Sequence, residues 1–186
     1  VQEARVQLSA WNDMAFVEGP SSPLGSVSDQ MEERHHDLFQ TLWVNFSESD
    51  YEDRISRYTH RLEINDLAGG FLNGMRVIDF GSGHGNFLHA FVRAGADFGY
   101  GIDYGEESVR YALEARDRLG VGADALDFKV ASVYDSGVDA ASFDFAIQNG
   151  VFHHLDDEDA AYQEVHRVLR PGGWFWIYTD GAGAVS

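Results

Sequence analysis

A run of alternating glycines carries the first residues whose types and spacing suggest chemistry. Gly81, Gly83 and Gly85 follow an apolar run that ends in Asp79 and Phe80. An apolar strand that leads through glycines into a helix brings backbone N–H groups and a helix N-terminus to the sheet edge where ligands bind. Without a Cβ atom, a glycine also lets a ligand approach the backbone closely. The loop therefore predicts a ligand site, although a tight strand-to-helix turn alone is also consistent with it.

A dinucleotide site requires a different glycine spacing. Its fingerprint is Gly-x-Gly-x-x-Gly. The last position is Asn86 when counted from Gly81 and Leu88 when counted from Gly83. The spacing thus disfavours a nicotinamide-dependent oxidoreductase, which is the weaker of the alternative functions.

A second carboxylate follows the next β-rich run. Asp103 ends that run, twenty-two positions after Gly81. A carboxylate at such a strand tip can accept both ribose hydroxyl protons of a nucleoside, and Tyr104 adds a flat ring beside it. The alternative is an Asp that only caps the next helix. It is weaker because Glu106 and Glu107 already supply acids to the first turn of that helix.

Two adjacent histidines, His153 and His154, follow a later apolar run. An imidazole with an ordinary pKa of about 6.5 suits a general base at neutral pH. The pair can instead pack under the following helix or lie on the surface beside Asp156 and Asp157. We expect no metal ion here, because adjacent side chains rarely converge on one ion.

The elements that must position these residues follow from the pattern after residue 76. There, short β-rich runs alternate with helical ones. We predict strands over 76–80, 98–103, 127–131, 143–148 and 173–179. We predict helices over 86–94, 106–119 and 156–169, the last of them ended by Pro171. Repeated βα units imply right-handed crossovers, so the sequence predicts an α/β fold with a doubly wound, mostly parallel sheet and helices on both faces.

Residues 1–68 differ in composition, since only two of the 20 glycines precede residue 69. We predict an irregular arm over 1–27, followed by a helix capped by Ser28 or Asp29 with an apolar face from Met31 to Trp43. A second helix begins with the capping-box pattern from Ser49 to Glu52. Its apolar face has helical spacing and consists of Tyr51, Ile55, Tyr58 and Leu62. We therefore divide the chain into residues 1–68 and residues 69–186.

The chain of 186 residues is strongly acidic, with 31 Asp and Glu, 13 Lys and Arg and a formal net charge of −18. Because a phosphate-binding surface needs clustered cations, nucleic acid and membrane are not expected partners. The charge favours a cationic or neutral ligand. The absence of cysteine excludes thiolate metal sites and cysteine nucleophiles. No apolar run reaches the length of a membrane span and no basic stretch precedes an apolar one near the start, so we expect a cytoplasmic protein.

The Asp-x-Gly-x-Gly-x-Gly spacing from Asp79 to Gly85 resembles motif I of the class I S-adenosylmethionine-dependent methyltransferases. Residues 142–155 are similar to the fourth strand of that family and the loop after it. Residues 164–173 are similar to the turn that leads into its fifth strand. The resemblance implies a Rossmann-like core with strand order 3-2-1-4-5. It also implies S-adenosylmethionine as the cofactor and S-adenosylhomocysteine as its product.

The resemblance implies roles for individual residues. The cofactor-binding residues would be Asp79, Gly81, Ser82, Gly83, His84, Gly85, Asp103, Tyr104, Ser132, Val133 and Gln148. Ser132 stands where the family often has an Asp for the adenine amino group, so we expect recognition of adenine by the backbone of Ser132 and Val133. His153 and His154 lie where small-molecule methyltransferases often line the active site, and they are the catalytic candidates.

The loop after the fourth strand favours the broad small-molecule group of the family. DNA and protein amide methyltransferases have Asn or Asp followed by Pro-Pro-Tyr there, and catechol-type enzymes hold a metal with an acid at that strand end. This chain has Gln148 to Val151 instead. The expected reaction is an in-line displacement that moves a methyl group to an O, N or C nucleophile of a small molecule. A non-catalytic, regulatory S-adenosylmethionine-binding module is the alternative.

The helices before the core are expected to form a lid over the cofactor, as in the resembled family. Arg57 and Arg61 are candidates for binding the cofactor carboxylate. The rings of Trp43, Tyr51 and Tyr58 either contact the sulfonium methyl or an aromatic substrate, or they belong to the buried stripes of the two helices. Strands six and seven of the family have no counterpart after the fifth strand. We therefore expect a core that is incomplete at its C-terminus, or an edge of the fifth strand that a second copy or another segment covers.

Overall fold

The computed structural model describes Val6–Gln7 and residues 47–179. Four α-helices lie in the described residues: α1 (Glu48–Ile64), α2 (Asn86–Arg93), α3 (Glu106–Arg118) and α4 (Glu158–Val168). The strands are β1 (Val6–Gln7), β2 (Arg76–Phe80), β3 (Phe98–Asp103), β4 (Leu126–Val130), β5 (Phe143–Asn149) and β6 (Leu169–Tyr178). A short 3-10 helix, Phe152–His154, connects β5 to α4.

The six strands form one sheet in the order β1-β6-β5-β2-β3-β4. Strands β2 to β6 are parallel and correspond to strands one to five of the predicted order. The predicted α/β fold with strand order 3-2-1-4-5 is therefore confirmed. The order reverses at β2, because β3 lies on one side of this strand and β5 on the other. Ligands of open α/β sheets bind at such a switch point, and here it is followed by the glycine loop.

Helices cover both faces of the sheet and divide the core into two clusters. One cluster packs α1, α2 and α3 against the first face and includes Leu62 and Phe91. The other packs α4 and the 3-10 helix against the opposite face and includes Phe80 and Phe152. Because side chains alternate along a strand, Asp79 lies on the first face, below the helices that flank the glycine loop.

Helix α1 forms because it has an N-terminal cap and one buried stripe. The Ser47 hydroxyl accepts a hydrogen bond from the Asp50 N–H at 3.2 Å, and the Asp50 carboxylate accepts one from the Ser47 N–H at 3.1 Å. The predicted apolar face is confirmed, since Tyr51, Ile55 and Leu62 are buried in the same cluster as α2 and α3. Burial of this stripe fixes α1 against the sheet.

The predicted start of α1 is wrong by two residues. The capping serine is Ser47 rather than Ser49. Both serines are followed by an acid three residues later, so the local pattern does not choose between them. The choice follows from packing, because the observed start still buries Tyr51 and Ile55.

The predicted start of the last strand is wrong, whereas the helix before Pro171 does end ahead of this proline. Helix α4 ends at Val168, and Leu169 is already extended with φ −77° and ψ 140°. Strand β6 begins at Leu169, four residues before the predicted start at residue 173, and it continues through Pro171. The strand tolerates a proline there because the pairing register shifts between Phe143 and Phe145, where the ladder is irregular.

Smaller boundaries differ as well. Strand β4 begins at Leu126, one residue before the prediction, and α4 begins at Glu158 with Asp157 as its N-cap instead of at residue 156. The helix predicted between Met31 and Trp43 lies outside the described residues.

Strand β1 pairs with the outer edge of β6. The pairing is antiparallel and joins Val6 to Phe175 and Gln7 to Trp174. The prediction of an irregular arm over residues 1–27 is thus wrong at these two positions. The arm supplies one segment that covers part of the edge of the fifth parallel strand. None of the helices within residues 47–179 combines the length and the apolar character needed to cross a membrane.

Candidate functional site

The glycine loop joins β2 to α2 at the carboxyl edge of the sheet. Gly81 and Gly83 have φ angles of +76° and +52°, a region that side chains rarely adopt. A Cβ atom on Gly81 would lie 2.6 Å from Cγ2 of Val151. A Cβ atom on Gly83 would meet no atom of the described residues within 4 Å. Gly81 therefore permits close packing against the loop after β5, whereas Gly83 borders open space that a ligand can enter.

The amides of the glycine loop are used within the protein. The N–H groups of Gly81 and Ser82 donate to the Ile102 carbonyl at 2.8 and 2.9 Å, and the Gly85 N–H donates to the Ser82 carbonyl at 2.9 Å. These bonds fix the loop against the tip of β3. These three N–H donors stabilise the conformation of the loop, and the site uses the shape of the loop.

Asp103 lies at the tip of β3 and faces the glycine loop. Its Oδ2 accepts a hydrogen bond from the Gly83 N–H at 2.8 Å, and its Oδ1 accepts one from the Gly105 N–H at 2.9 Å. A carboxylate offers about four acceptor positions. The two bonds hold the carboxylate in one orientation beside the open space at Gly83, an arrangement that suits a pair of ligand hydroxyls.

His84 ties the glycine loop to two helices. Its ring stacks on Tyr111 of α3, with 4.2 Å between the ring centroids, and the Tyr51 hydroxyl of α1 donates to its carbonyl at 2.8 Å. Burial, and then the charge of Arg54, lower the pKa of His84 to about 4. The imidazole is therefore neutral at neutral pH, and it packs against a helix.

The turn after β4 begins at Ser132 and Val133. The Ser132 hydroxyl accepts from the Tyr134 N–H at 3.1 Å, and the Ser132 carbonyl accepts from the Asp135 N–H at 3.2 Å. Tyr104, which follows β3, is 76% exposed. The predicted adenine and ribose residues thus lie at the tips of two neighbouring strands.

His153 and His154 form the end of the 3-10 helix, with 3.9 Å between their ring centroids. Gln148 is fully buried below this helix, and its Oε1 accepts from the Val151 N–H at 2.9 Å. Because Val151 also packs against Gly81, the histidines lie on the loop directly beside the glycine loop. Gln148 braces that loop, and its contact with a cofactor stays a prediction.

A second cluster lies at the tips of β5 and β6. Arg61 of α1 donates to Oδ1 of Asn149 at 3.3 Å, and its guanidinium carbon is 5.0 Å from the centre of the Tyr178 ring. A Cβ atom on Gly150 would lie 3.6 Å from Tyr178 and 4.0 Å from His153. The cluster therefore adjoins the histidine loop, on the opposite side of β2 from Asp103.

Comparison with known proteins decides which family has this arrangement. The family described as "Methyltransferase domain" matches residues 78–177, more than half of the chain. The chain belongs to the class I S-adenosylmethionine-dependent methyltransferases. The resemblance drawn from the glycine loop is thereby confirmed.

Similar methyltransferases include two curated proteins. One is the ubiquinone biosynthesis O-methyltransferase of Bordetella avium, which is 31% identical over 121 residues, or 64% of this chain and 48% of that protein. The other is the fatty-acid O-methyltransferase of Mycolicibacterium smegmatis, which is 29% identical over 140 residues, or 75% of this chain and 48% of that protein. The chain thus spans about half the length of these curated relatives.

A solved structure shares the fold. The crystal structure of an S-adenosylmethionine-dependent methyltransferase from Aquifex aeolicus aligns with a TM-score of 0.57 and 24% sequence identity. The alignment covers 70% of this chain and 71% of that chain. It supports the fold and the order of its parallel strands.

The cofactor of this methyltransferase family fits the residues at the tips of β2 and β3. Asp79 is 2% exposed, and its Oδ1 has no hydrogen-bond partner among the residues that the structure describes. Burial, and then the charge of Asp103, raise the pKa of Asp79 to about 8. A nearby cation favours the ionised form of such a carboxyl group, and S-adenosylmethionine carries both a sulfonium and an ammonium. The buried carboxyl group and the open space at Gly83 are therefore suited to this ligand.

Two residues beside the candidate site were not singled out from the sequence. Asn149 and Tyr178 end β5 and β6, and both contact Arg61. Their position at the ends of two predicted strands could have identified them, because the carboxyl ends of parallel strands meet at the ligand-binding edge. Within residues 47–179, the structure brings no three His, Asp or Glu side chains together in a way that could hold a metal ion.

Proposed function

We propose that this methyltransferase transfers the methyl group of S-adenosylmethionine to an oxygen nucleophile of a small molecule. The observation that carries the proposal is the pair of hydrogen bonds that orients Asp103 beside Gly83, at the border of open space. Oxygen is favoured over nitrogen or carbon because the two curated relatives named above are both O-methyltransferases.

The cofactor would lie across the carboxyl edge of the sheet. Ser132 and Val133 would meet the adenine through their backbone, and Asp103 would accept the ribose hydroxyl protons. The exposed ring of Tyr104 offers a flat neighbour to the adenosine. The methionine end would lie at the glycine loop, where Asp79 adds negative charge near the ammonium.

The chemistry requires alignment more than an elaborate catalytic apparatus. S-adenosylmethionine supplies a methyl carbon bound to a positively charged sulfur. The acceptor oxygen forms a bond to that carbon while the carbon–sulfur bond breaks and its electron pair stays on sulfur. The proton of the acceptor passes to a base, and we assign this role to His154 or His153, which lie next to the glycine loop. Holding both partners in line contributes on the order of 7 to 11 kcal/mol in well-aligned cases.

Calorimetric titration with S-adenosylhomocysteine tests the cofactor site. We expect binding to the wild-type protein and a loss of about a hundredfold in affinity in Asp103→Ala, because hydrogen bonds to a charged group contribute roughly 1.5 to 3 kcal/mol each. Asp97→Ala is the matched control. Asp97 also accepts a backbone N–H, from Gly74 at 3.0 Å, but it precedes β3 at the opposite edge of the sheet.

The outcomes separate the candidate functions. Equal affinity in Asp103→Ala and the wild-type protein, or no binding by the folded wild-type protein, would contradict the proposal. Binding with the expected dependence on Asp103, without methyl transfer to any small-molecule acceptor, would instead identify a non-catalytic binding module.

A further inference from the structure

One flank of helix α1 is basic, although the chain as a whole is acidic. Residues 54–62 of α1 contain three arginines and no acid, although the formal net charge of the protein is −18. Arg54, Arg57 and Arg61 recur at spacings of three and four residues, so they follow one flank of the helix. The expectation of a cationic or neutral ligand, which came from the net charge, does not describe this flank.

The arginine flank passes over the carboxyl edge of the sheet. At one end, Arg54 acts electrostatically on His84 of the glycine loop. At the other end, Arg61 reaches the tips of β5 and β6. The charges of Arg54 and Arg57 act on Asp50, in the first turn of α1, whose carboxylate accepts hydrogen bonds from Ser47 at the helix cap. The acid thus serves the start of the helix, while the basic flank continues toward β6.

Arg61 is held by aromatic rings. Its guanidinium carbon lies 4.9 Å from the centre of the Trp176 ring and 5.8 Å from the centre of the Phe87 ring. Together with the contact to Asn149, these rings restrict the orientation of the guanidinium plane. A planar guanidinium with a fixed orientation matches the geometry of a carboxylate.

The position of Arg61 separates it from Asp103. Neighbouring strands lie about 4.8 Å apart, and the tips of β5 and β6 are one and two strands from β2, away from Asp103. His153 and Tyr178 both lie within about 4 Å of the Cβ position of Gly150, so the candidate base lies on the same loop end as the Arg61 cluster. Tyr178 is 37% exposed and offers a ring face to an apolar group.

We propose that the acceptor of this methyltransferase is a small carboxylic acid whose carboxylate binds to Arg61 and whose apolar body lies against Tyr178. The inference rests on the proposed function, because it names the acceptor class of the same site. The competing occupant of Arg61 is the carboxylate of the cofactor itself.

Binding of carboxylates and their amides tests the proposal. The probes are benzoate, 3-phenylpropanoate and octanoate, each paired with its primary amide and titrated with and without saturating S-adenosylhomocysteine. We expect at least one carboxylate to bind the wild-type protein about tenfold more tightly than its amide. In Arg61→Gln the ratio should fall to within twofold, while the affinity for S-adenosylhomocysteine stays within twofold of the wild-type value.

Arg110→Gln is the matched control, since Arg110 is exposed on α3 and pairs with Glu107 and Glu114. It should keep the full preference for carboxylates. If Arg61→Gln does not fold, Arg54→Gln is measured instead, with an expected loss of about threefold in the same ratio.

Three results would overturn the inference. In the first, the wild-type protein binds no carboxylate more tightly than its amide. In the second, the preference for carboxylates persists in the arginine variants. In the third, the Arg61→Gln variant loses its affinity for S-adenosylhomocysteine, because Arg61 would then hold the cofactor carboxylate. Failure of the wild-type protein to bind S-adenosylhomocysteine would count against the proposed function, and the titrations without it still test Arg61.

Discussion

The two sides of β2 at the carboxyl edge are built in different ways. On the β3 side, backbone N–H groups of Gly83 and Gly105 hold the carboxylate of Asp103, and they lie 20 and 2 positions from it, within one βαβ unit. On the β6 side, Arg61 comes from α1 while its partner Asn149 ends β5 and is 88 positions away. One side depends on local spacing, and the other depends on how distant elements pack.

The two sides also differ in charge. On the β3 side, where we propose that the cofactor binds, Asp103 supplies a carboxylate, and the buried Asp79 ionises once a cation lies beside it. On the β6 side, where we propose that the acceptor binds, Arg61 supplies a positive charge. A molecule that carries a sulfonium suits the first side, and a carboxylate suits the second. Net charge alone conceals this division, because an excess of surface acids dominates the total.

The largest expected effect concerns the open space on the cofactor side. Gly83→Val would fill this space beside Asp103, so we expect the affinity for S-adenosylhomocysteine to fall by about a hundredfold. Gly120→Val is the matched control, because Gly120 also has a positive φ, +68°, and no described atom within 4 Å of its Cβ position, but lies after α3 at the opposite edge. The two variants should unfold at similar denaturant concentrations. An equal loss of affinity in both would show that strain, and not the site, is responsible.

The next effect is a pH dependence that belongs to the cofactor side. The pKa of Asp79 is raised to about 8 by burial and then by Asp103, so the carboxyl group is mostly protonated below that pH. A bound ammonium favours the ionised form of the Asp79 carboxyl group. We therefore expect the affinity for S-adenosylhomocysteine to increase about tenfold when the pH rises from about 6.5 to about 8. Calorimetry at several pH values should give a flat profile for Asp79→Asn. Parallel profiles for the variant and the wild-type protein would argue against this role of Asp79.

A smaller effect concerns the bond that joins the two sides. The Tyr51 hydroxyl of α1 donates to the His84 carbonyl of the glycine loop. We expect Tyr51→Phe to lower the affinity for S-adenosylhomocysteine about fivefold, since one such bond contributes roughly 1 kcal/mol. Tyr58→Phe, on the same helix, is the control, because the Tyr58 ring packs against Phe87 with 4.6 Å between the ring centroids. If both variants bind as the wild-type protein does, α1 does not shape the cofactor loop.

The smallest effect concerns the cap at the start of α1. Ser47→Ala should lower the free energy of unfolding by about 1 kcal/mol, as measured by urea denaturation. Ser49→Ala should have less than half of that effect, because Ser47 and not Ser49 accepts the Asp50 N–H. If Ser49→Ala instead lowers the free energy of unfolding more than Ser47→Ala does, the cap is Ser49, as predicted from the sequence.

The same contrast explains how much could be predicted from sequence. Strand β3 was predicted with its observed bounds, Phe98–Asp103, and the glycine loop identified the family, because both depend on residues close in sequence. The cap at Ser49 and the start of the last strand at residue 173 were predicted wrongly, because packing and strand pairing decide these boundaries. The pairing of Val6 with Phe175 has no local signal at all.

The acceptor side was the least predictable part of the site. Arg61 was a candidate for the cofactor carboxylate, but its contacts with Asn149 and Tyr178 join three elements that only the folded sheet brings together. A pattern within α1 shows three arginines on one flank. It does not show which strand tips they reach.

The division of the site into two sides is tested most directly by one set of titrations. S-adenosylhomocysteine is titrated into Asp103→Ala, Arg61→Gln and the wild-type protein under the same conditions. The account predicts a loss of about a hundredfold in affinity for Asp103→Ala and a change within twofold for Arg61→Gln. Equal losses in both variants, or a larger loss in Arg61→Gln, would contradict it.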